Sequence, residues 1–182
     1  DIAGEKAIIN AITREDFLSY MGDLYSATNL TVVIAGGIDS DRAVSLVEKY
    51  FLEMKRFDTK QFVSLKESQK KPELLIKDKK TEQIHIALGV RTVDINSGRK
   101  YPLSVLAAIL GGGMSSRLFH EVREKRGLAY YVRTHQDEYA DAGTLVSMAG
   151  IDPKRVVEEV KVMMEEYSKV AVGEMKLTDE EG

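Results

Sequence analysis

Apolar positions in the first third of the chain follow helical spacing, apart from one short continuous run. Thr13 and Asp16 form a variant of the capping box, and the apolar residues after them share one face, which predicts a helix. The run at 30–35 is apolar and rich in β-branched residues, so we predict a buried strand. Asp39 or Ser40 begins a second predicted helix. The predicted order is helix, strand, helix.

The composition turns polar between residues 57 and 71, and Pro72 closes this stretch. Polar stretches that end in proline are typical of connections between folded units. We therefore predict a linker here and two parts of the chain, 1–69 and 70–182.

Strand and helix patterns alternate after the linker. A short apolar run at 74–76 predicts one strand, and strict alternation at 83–91 predicts a longer, half-buried one. A helix is predicted at 101–110, where a run of glycines ends it. Ser115 or Ser116 begins the next helix.

The last elements are two strands and a long helix. Gly127 is a natural left-handed helix stop, and strands are predicted at 128–136 and 144–150. Asp152 and Pro153 begin a long helix as its cap and first position. Its apolar stripe is core packing and consists of Val156, Val160, Met163, Tyr167 and Val170.

Features at both ends of the sequence favour the interpretation that this chain is part of a longer protein. The chain begins with Asp1 and no charged-then-apolar leader follows it. A further helix start at 177–181 is capped and then stops at Gly182. We therefore expect the natural protein to continue beyond this chain.

Composition excludes several classes of protein. The 182 residues carry 26 basic and 29 acidic side chains, a net charge of −3, and 43% are hydrophobic, which is typical of a soluble globular chain. No apolar stretch approaches the roughly 20 residues that span a bilayer. The absence of cysteine excludes disulfides, cysteine nucleophiles and thiolate zinc sites.

The residues alone give little support to a metal or nucleotide site. His85, His120 and His135 are not spaced as a zinc motif, so we interpret them as polar-face histidines. The glycine run at 111–113 follows a helix and lacks the phosphate-loop lysine, which disfavours a nucleotide site. Three glycines exceed what one helix end needs, and this indicates close backbone approach or mobility.

The same region carries basic residues interleaved with tyrosines, a pattern found in nucleic-acid sites. Acidic residues dilute it, and strand alternation sends Tyr130 and Tyr131 to opposite faces. We therefore predict neither a nucleic-acid nor a membrane partner.

The block from Gly111 to Tyr130 resembles the pitrilysin/insulinase family of inverted-motif zinc metallopeptidases, in particular the processing-peptidase branch. It contains Ser-Arg-Leu-Phe at 116–119 and Arg-Gly-Leu-Ala-Tyr at 126–130. The resemblance covers nearly the whole chain and is weakest from Phe57 to Lys80.

This resemblance implies an α+β fold with duplicated units, whose mixed or antiparallel sheets carry helices packed on one face. Residues 1–69 would close the first, catalytic-type domain, and residues 70–182 would begin the second, substrate-binding domain. Zinc would be held by the first domain, upstream of Asp1, and this chain would supply no ligand. The second domain would contribute an arginine and a tyrosine seven residues apart, which match Arg123 and Tyr130.

The implied roles fit the chemistry of peptide hydrolysis. A guanidinium and a phenol can donate hydrogen bonds to the negative charge that develops on the scissile carbonyl oxygen. We assign catalytic roles to Arg123 and Tyr130. Substrate-binding roles go to Gly111, Gly112, Gly113 and Arg117. The family's non-catalytic subunits carry a longer glycine-rich segment where this chain has three glycines.

Two functions follow from the resemblance. The first is the substrate-binding part of a zinc endopeptidase, inactive by itself; the alternative is a non-catalytic peptide-binding or scaffold homologue. Expected partners are a peptide or unfolded polypeptide, the remaining domains of the parent protein and a second copy of the chain. The compartment is left open, with a bacterial cytoplasm or an organelle matrix as the expectation.

Overall fold

A computed structural model describes residues 3–173, so the helix start predicted at 177–181 lies outside the described residues. The chain divides into two compact units, Asp1–Val63 and Ser64–Gly182. The division falls inside the predicted linker. The interpretation of 1–69 and 70–182 as parts of two homologous domains stays a prediction.

The first unit is helical. Its elements are α1 (Lys6–Ala11), α2 (Arg14–Leu24), a short 3-10 helix (Ala27–Asn29) and α3 (Ser40–Phe51). The predicted capping box is present, because Thr13 Oγ1 accepts from the Asp16 amide while Asp16 accepts from the Thr13 amide at 2.8 Å. The Thr13 amide and the Thr13 hydroxyl both donate to the Asp16 carboxylate, and these two hydrogen bonds hold the pKa of Asp16 below its ordinary value. Asp39 caps α3 by accepting from the Arg42 amide.

Two predicted strands are wrong. Residues 30–35 and 74–76 form no strand, and Val33 and Leu75 are 84% and 94% exposed. An apolar run becomes a strand only when a neighbouring strand satisfies its backbone groups. Neither run has such a partner in the described part of the chain.

The second unit is built on a three-stranded antiparallel sheet with the order β1-β3-β2. Its strands are β1 (Ile84–Thr92), β2 (Ala129–Glu138) and β3 (Gly143–Ile151). All three agree with predicted strands to within about two residues at each end. In the described residues β2 pairs only with β3, so its other edge is open.

Helices cover one face of this sheet and bury the core. They are α4 (Lys100–Gly111), a π-helix (Phe119–Glu124), a 3-10 turn (Pro153–Arg155) and α5 (Val156–Ala171). Leu118, Val122 and Met163 are fully buried against apolar side chains of β2 and β3. The predicted α+β class is confirmed, and none of the described helices is long and apolar enough to cross a membrane.

The predicted helix after Ser116 forms, but with π geometry. The Lys125 amide donates to His120 O at 2.9 Å, five residues back, and Gly127 ends the segment at φ +56°. Single π-helical turns are frequently found at functional sites.

The predicted stripe of α5 is confirmed except at one position, because Val156, Tyr167 and Val170 pack against the core. Asp152 caps the preceding 3-10 turn, and Met163 is buried as predicted, while Val160 is 39% exposed. Glu159 and Glu166 also lie on the buried side. Neither carboxyl oxygen of Glu159 has a hydrogen-bond partner in the described residues, and burial raises the pKa of Glu159 to about 7.

Glu159→Gln should stabilise the protein at alkaline pH. The folded-state pKa of about 7 lies above the reference value of 4.5, so the wild type loses stability as pH rises between these values. We expect the variant to be on the order of 1–3 kcal/mol more stable near pH 8 and equal to wild type near pH 4. Urea unfolding at both pH values measures this. Glu165→Gln, at an exposed carboxylate of the same helix, is the control; an unchanged pH slope in Glu159→Gln would contradict the assignment.

Candidate functional site

A groove of about 570 Å³ lies in the second unit between the end of α4, the π-helix and β2. One wall comes from the glycine run and the π-helix, and the other from consecutive residues of β2. The lining residues are Gly111, Gly112, Gly113, Met114, Phe119, Arg123, Tyr131, Val132, Arg133, Thr134 and His135.

The glycine run forms one end of this groove. A Cβ on Gly111 would stand 2.3 Å from Thr134 Oγ1, so α4 can approach β2 only if this residue is glycine. Around Gly113 there is open space, and its carbonyl accepts from Ser116 Oγ at 2.6 Å. Close backbone approach therefore explains the first glycine of the run.

Arg123 projects from the π-helix into the groove lining. Its guanidinium carbon lies 5.0 Å from the centroid of the Phe119 ring, a cation–π contact. Within residues 3–173 the guanidinium has no ion pair. The charge of Arg123 is therefore available to a ligand.

The acidic residues beside Arg123 are already engaged. Glu121 accepts from Arg126 and Lys125, each at 2.6 Å, and these hydrogen bonds lower the pKa of Glu121 to about 2. Glu124 contacts His120 Nδ1 at 2.7 Å. Neither carboxylate neutralises the arginine of the groove.

Tyr130 does not belong to the lining. It is the extra residue of a β-bulge, because Ala129 pairs with Ile151 and Tyr131 pairs with Gly150, and Tyr130 is 62% exposed. A bulge re-aims side chains and breaks the alternation of faces.

Tyr131 occupies the groove wall, and sequence reasoning assigned it no role. Its ring lies over Gly150, where a Cβ would stand 2.5 Å from the ring edge. His85 Nδ1 lies 3.0 Å from the Tyr131 hydroxyl. The sequence alone gave no signal for this contact, because only the register of β2 against β3, shifted by the bulge, places Gly150 opposite Tyr131.

Arg117, predicted to bind substrate, lies in a structural ion pair outside the groove lining. Its Nε is 3.1 Å from Glu166 Oε2, and the side chain of Glu166 is 2% exposed. Lys169 also pairs with Glu166. The structure thus brings Arg123 and the three glycines to one groove and leaves Tyr130 and Arg117 out of its lining.

The side chains present do not fit a zinc ion. In the described residues no group of three His, Asp or Glu side chains is placed to hold a metal. His120 has a single carboxylate partner, Glu124, and both side chains are half exposed. No zinc chemistry is therefore assigned to residues 3–173.

Comparison with known proteins agrees with the fold. Residues 11–181 match the model of the peptidase M16 inactive domain. An uncharacterized zinc protease of Mycobacterium leprae is 36% identical over 173 residues, which cover 93% of this chain and 39% of that protein. The chain thus spans about two fifths of the length of this relative.

Two solved structures share the fold at low identity. The peptidase M16 inactive domain from Pseudomonas fluorescens superposes with a TM-score of 0.80 at 19% identity, over 98% of this chain and 43% of that one. A protease from Helicobacter pylori gives 0.75 at 22% identity, over 98% and 44%. The block from Gly111 to Tyr130 therefore indicated the correct family. The chain belongs to the M16 peptidases, the pitrilysin/insulinase family, and matches their inactive domain.

Proposed function

We propose that this chain is the substrate-binding part of a zinc endopeptidase. The observation that carries the proposal is the arginine of the family block, Arg123, which lines a groove without a carboxylate partner in the described residues. Its relatives' description as zinc proteases supports the reaction class.

Arg123 would act on the peptide that is cleaved. Its guanidinium is always protonated and presents several donors in a fixed geometry, so it can hold a main-chain carbonyl. Hydrolysis develops negative charge on the scissile carbonyl oxygen, and a donor aimed at that oxygen lowers the barrier. The exposed phenol of Tyr130 would supply a second donor once substrate is bound.

Zinc and its ligands would come from another part of a longer polypeptide, here called the parent protein. Residues 1–69 would complete the catalytic-type domain and residues 70–182 would begin the substrate-binding domain. The partners would be a peptide or unfolded polypeptide, the parent's remaining domains and a second copy of the chain.

Cleavage assays on this chain and on the parent protein test the proposal. The 182-residue chain alone should retain no stoichiometric zinc and cleave no peptide, because the described residues offer no metal-binding group. The parent should cleave unfolded polypeptides and lose this activity to a chelator. Tight stoichiometric zinc with peptidase activity in the isolated chain would refute the assignment.

The alternative is a non-catalytic, peptide-binding or scaffold homologue of the same fold. The family model that matches this chain is described as an inactive domain, which supports the non-catalytic alternative. A parent protein that binds peptides but has no zinc and no turnover would establish this alternative.

A further inference from the structure

The groove carries positive charge and no acidic side chain. Two of its lining residues are arginines without an ion pair in the described residues, Arg123 and Arg133, whereas the lining residue His135 faces Asp137. None of the residues that line it is Asp or Glu. Positive side chains without counter-charges favour an anionic ligand group.

Arg133 differs from most arginines of the second unit. Arg117, Arg126 and Arg155 each bind a glutamate, and Arg91 binds Glu67. Within residues 3–173, the guanidinium of Arg133 has no ion pair. This arginine is exposed at the groove instead of being used to stabilise the fold.

The neighbours of Arg133 explain why it stays unpaired. A strand residue finds partners directly across the sheet, and the residue opposite Arg133 is Met148, which in turn faces Ala87. The nearest acid along the strand face is Asp137, whose carboxylate lies 3.4 Å from His135 Nε2 and accepts from Thr144. The sheet therefore offers Arg133 no carboxylate of its own.

The strand that carries Arg133 suits an extended peptide. In the described residues, β2 is an edge strand, so part of its backbone can pair with a peptide laid along it. A nucleic acid would need a longer basic track than two arginines, in a chain whose net charge is −3. Peptide is the anionic ligand that these observations favour.

We propose that Arg133 makes this groove select peptides with an acidic side chain, the glutamate or aspartate carboxylate binding its guanidinium. The inference rests on the proposed function and deepens it by naming the substrate class. Arg123 keeps its main-chain role, so recognition of the side chain falls to a different residue.

Binding of matched peptides tests this proposal. Short fluorescent peptides of Ala, Ser and Thr carry Glu, Gln or Lys at one central position, and anisotropy gives their affinities for the 182-residue protein. We expect the Glu peptide to bind about fivefold more tightly than the Gln peptide, since a partly shielded ion pair is worth that ratio. Arg133→Gln should remove the preference, and Arg133→Glu should turn it toward the Lys peptide.

Arg99→Gln is the matched control. Arg99 is exposed, has no ion pair in the described residues, and stands at the opposite end of α4 from the glycine run. Its variant should keep the wild-type preference, and circular dichroism should show that all variants fold alike.

The possible outcomes distinguish the role of Arg133 from the proposed peptide-binding function on which it rests. Equal binding of the three peptides, or a preference that survives Arg133→Gln, overturns the role of Arg133 and leaves peptide binding intact. Failure of every peptide to bind overturns both. Tighter, Arg133-dependent binding of a single-stranded oligonucleotide would overturn the peptide assignment in favour of nucleic acid.

Discussion

Arg123→Ala in the parent protein should lower turnover of a peptide substrate by about 10²- to 10³-fold, the typical cost of losing one donor to the developing oxyanion. The guanidinium lines the groove without a carboxylate partner in the described residues, so its removal leaves no buried acid behind. We therefore expect the loss in catalysis without a comparable loss in stability. Steady-state kinetics on zinc-loaded parent, together with urea unfolding, measures both.

Two further variants sharpen this result. Tyr130→Phe should also lower turnover, and because a phenol is a single donor, its effect should be smaller than that of Arg123→Ala. Arg99→Ala, an exposed arginine at the other end of α4, should leave turnover near wild type. Full activity of both Arg123→Ala and Tyr130→Phe would show that the site assignment is wrong.

Arg117→Met should destabilise the second unit by about 3–5 kcal/mol, because it removes the arginine from a buried ion pair. Glu166 is 2% exposed and accepts from Arg117 Nε at 3.1 Å, so the variant leaves a carboxylate without its buried partner. Lys169 also pairs with Glu166, so the buried carboxylate keeps one positive partner in the variant. We therefore expect a loss of stability near the lower end of that range. Urea unfolding gives the value.

The Arg155–Glu158 pair provides the control for this experiment. Both of its side chains are more than a third exposed, and such surface pairs contribute about 0–1 kcal/mol. The double variant Arg117→Met/Glu166→Met should recover part of the stability, since it removes both buried charges. If Arg117→Met costs no more than Arg155→Met and instead raises KM in the parent, Arg117 binds substrate as its sequence position suggested.

Local signals in the sequence predicted local structure well. The capping box at Thr13, the caps at Asp39 and Asp152, and the left-handed Gly127 are all found where the sequence placed them. Each depends on a few adjacent residues, so no knowledge of distant packing is needed.

Features that depend on distant partners were missed. The apolar runs at 30–35 and 74–76 read as strands, yet pairing decides whether a strand forms, and neither run has a paired strand in the described residues. Arg117 and Glu166 are 49 residues apart in sequence and meet only through the packing of α5. Glu159 and Glu166 are seven residues apart, a spacing that places both on one face of a helix. The apolar residues of α5, taken alone, do not predict that these two glutamates are buried.

The candidate site shows the same division. Sequence resemblance selected Arg123, and the structure lines a groove with it and with the three glycines. The resemblance also selected Tyr130, but the bulge at Tyr130 interrupts the strand alternation, and Tyr131 lines the groove instead. Arg133 carried no signal beyond its charge, because only the register places Met148 opposite it.

Inhibition of the parent protein by a phosphinic peptide, which mimics the tetrahedral transition state, tests the role of Arg123 most directly. Across the wild type and its Lys, Gln and Ala variants at this position, the inhibition constant should rise in proportion to the fall in kcat/KM, while affinity for the uncleaved substrate changes little. An inhibition constant that stays unchanged as kcat/KM falls would contradict the account, because the guanidinium would then not contact the reacting group.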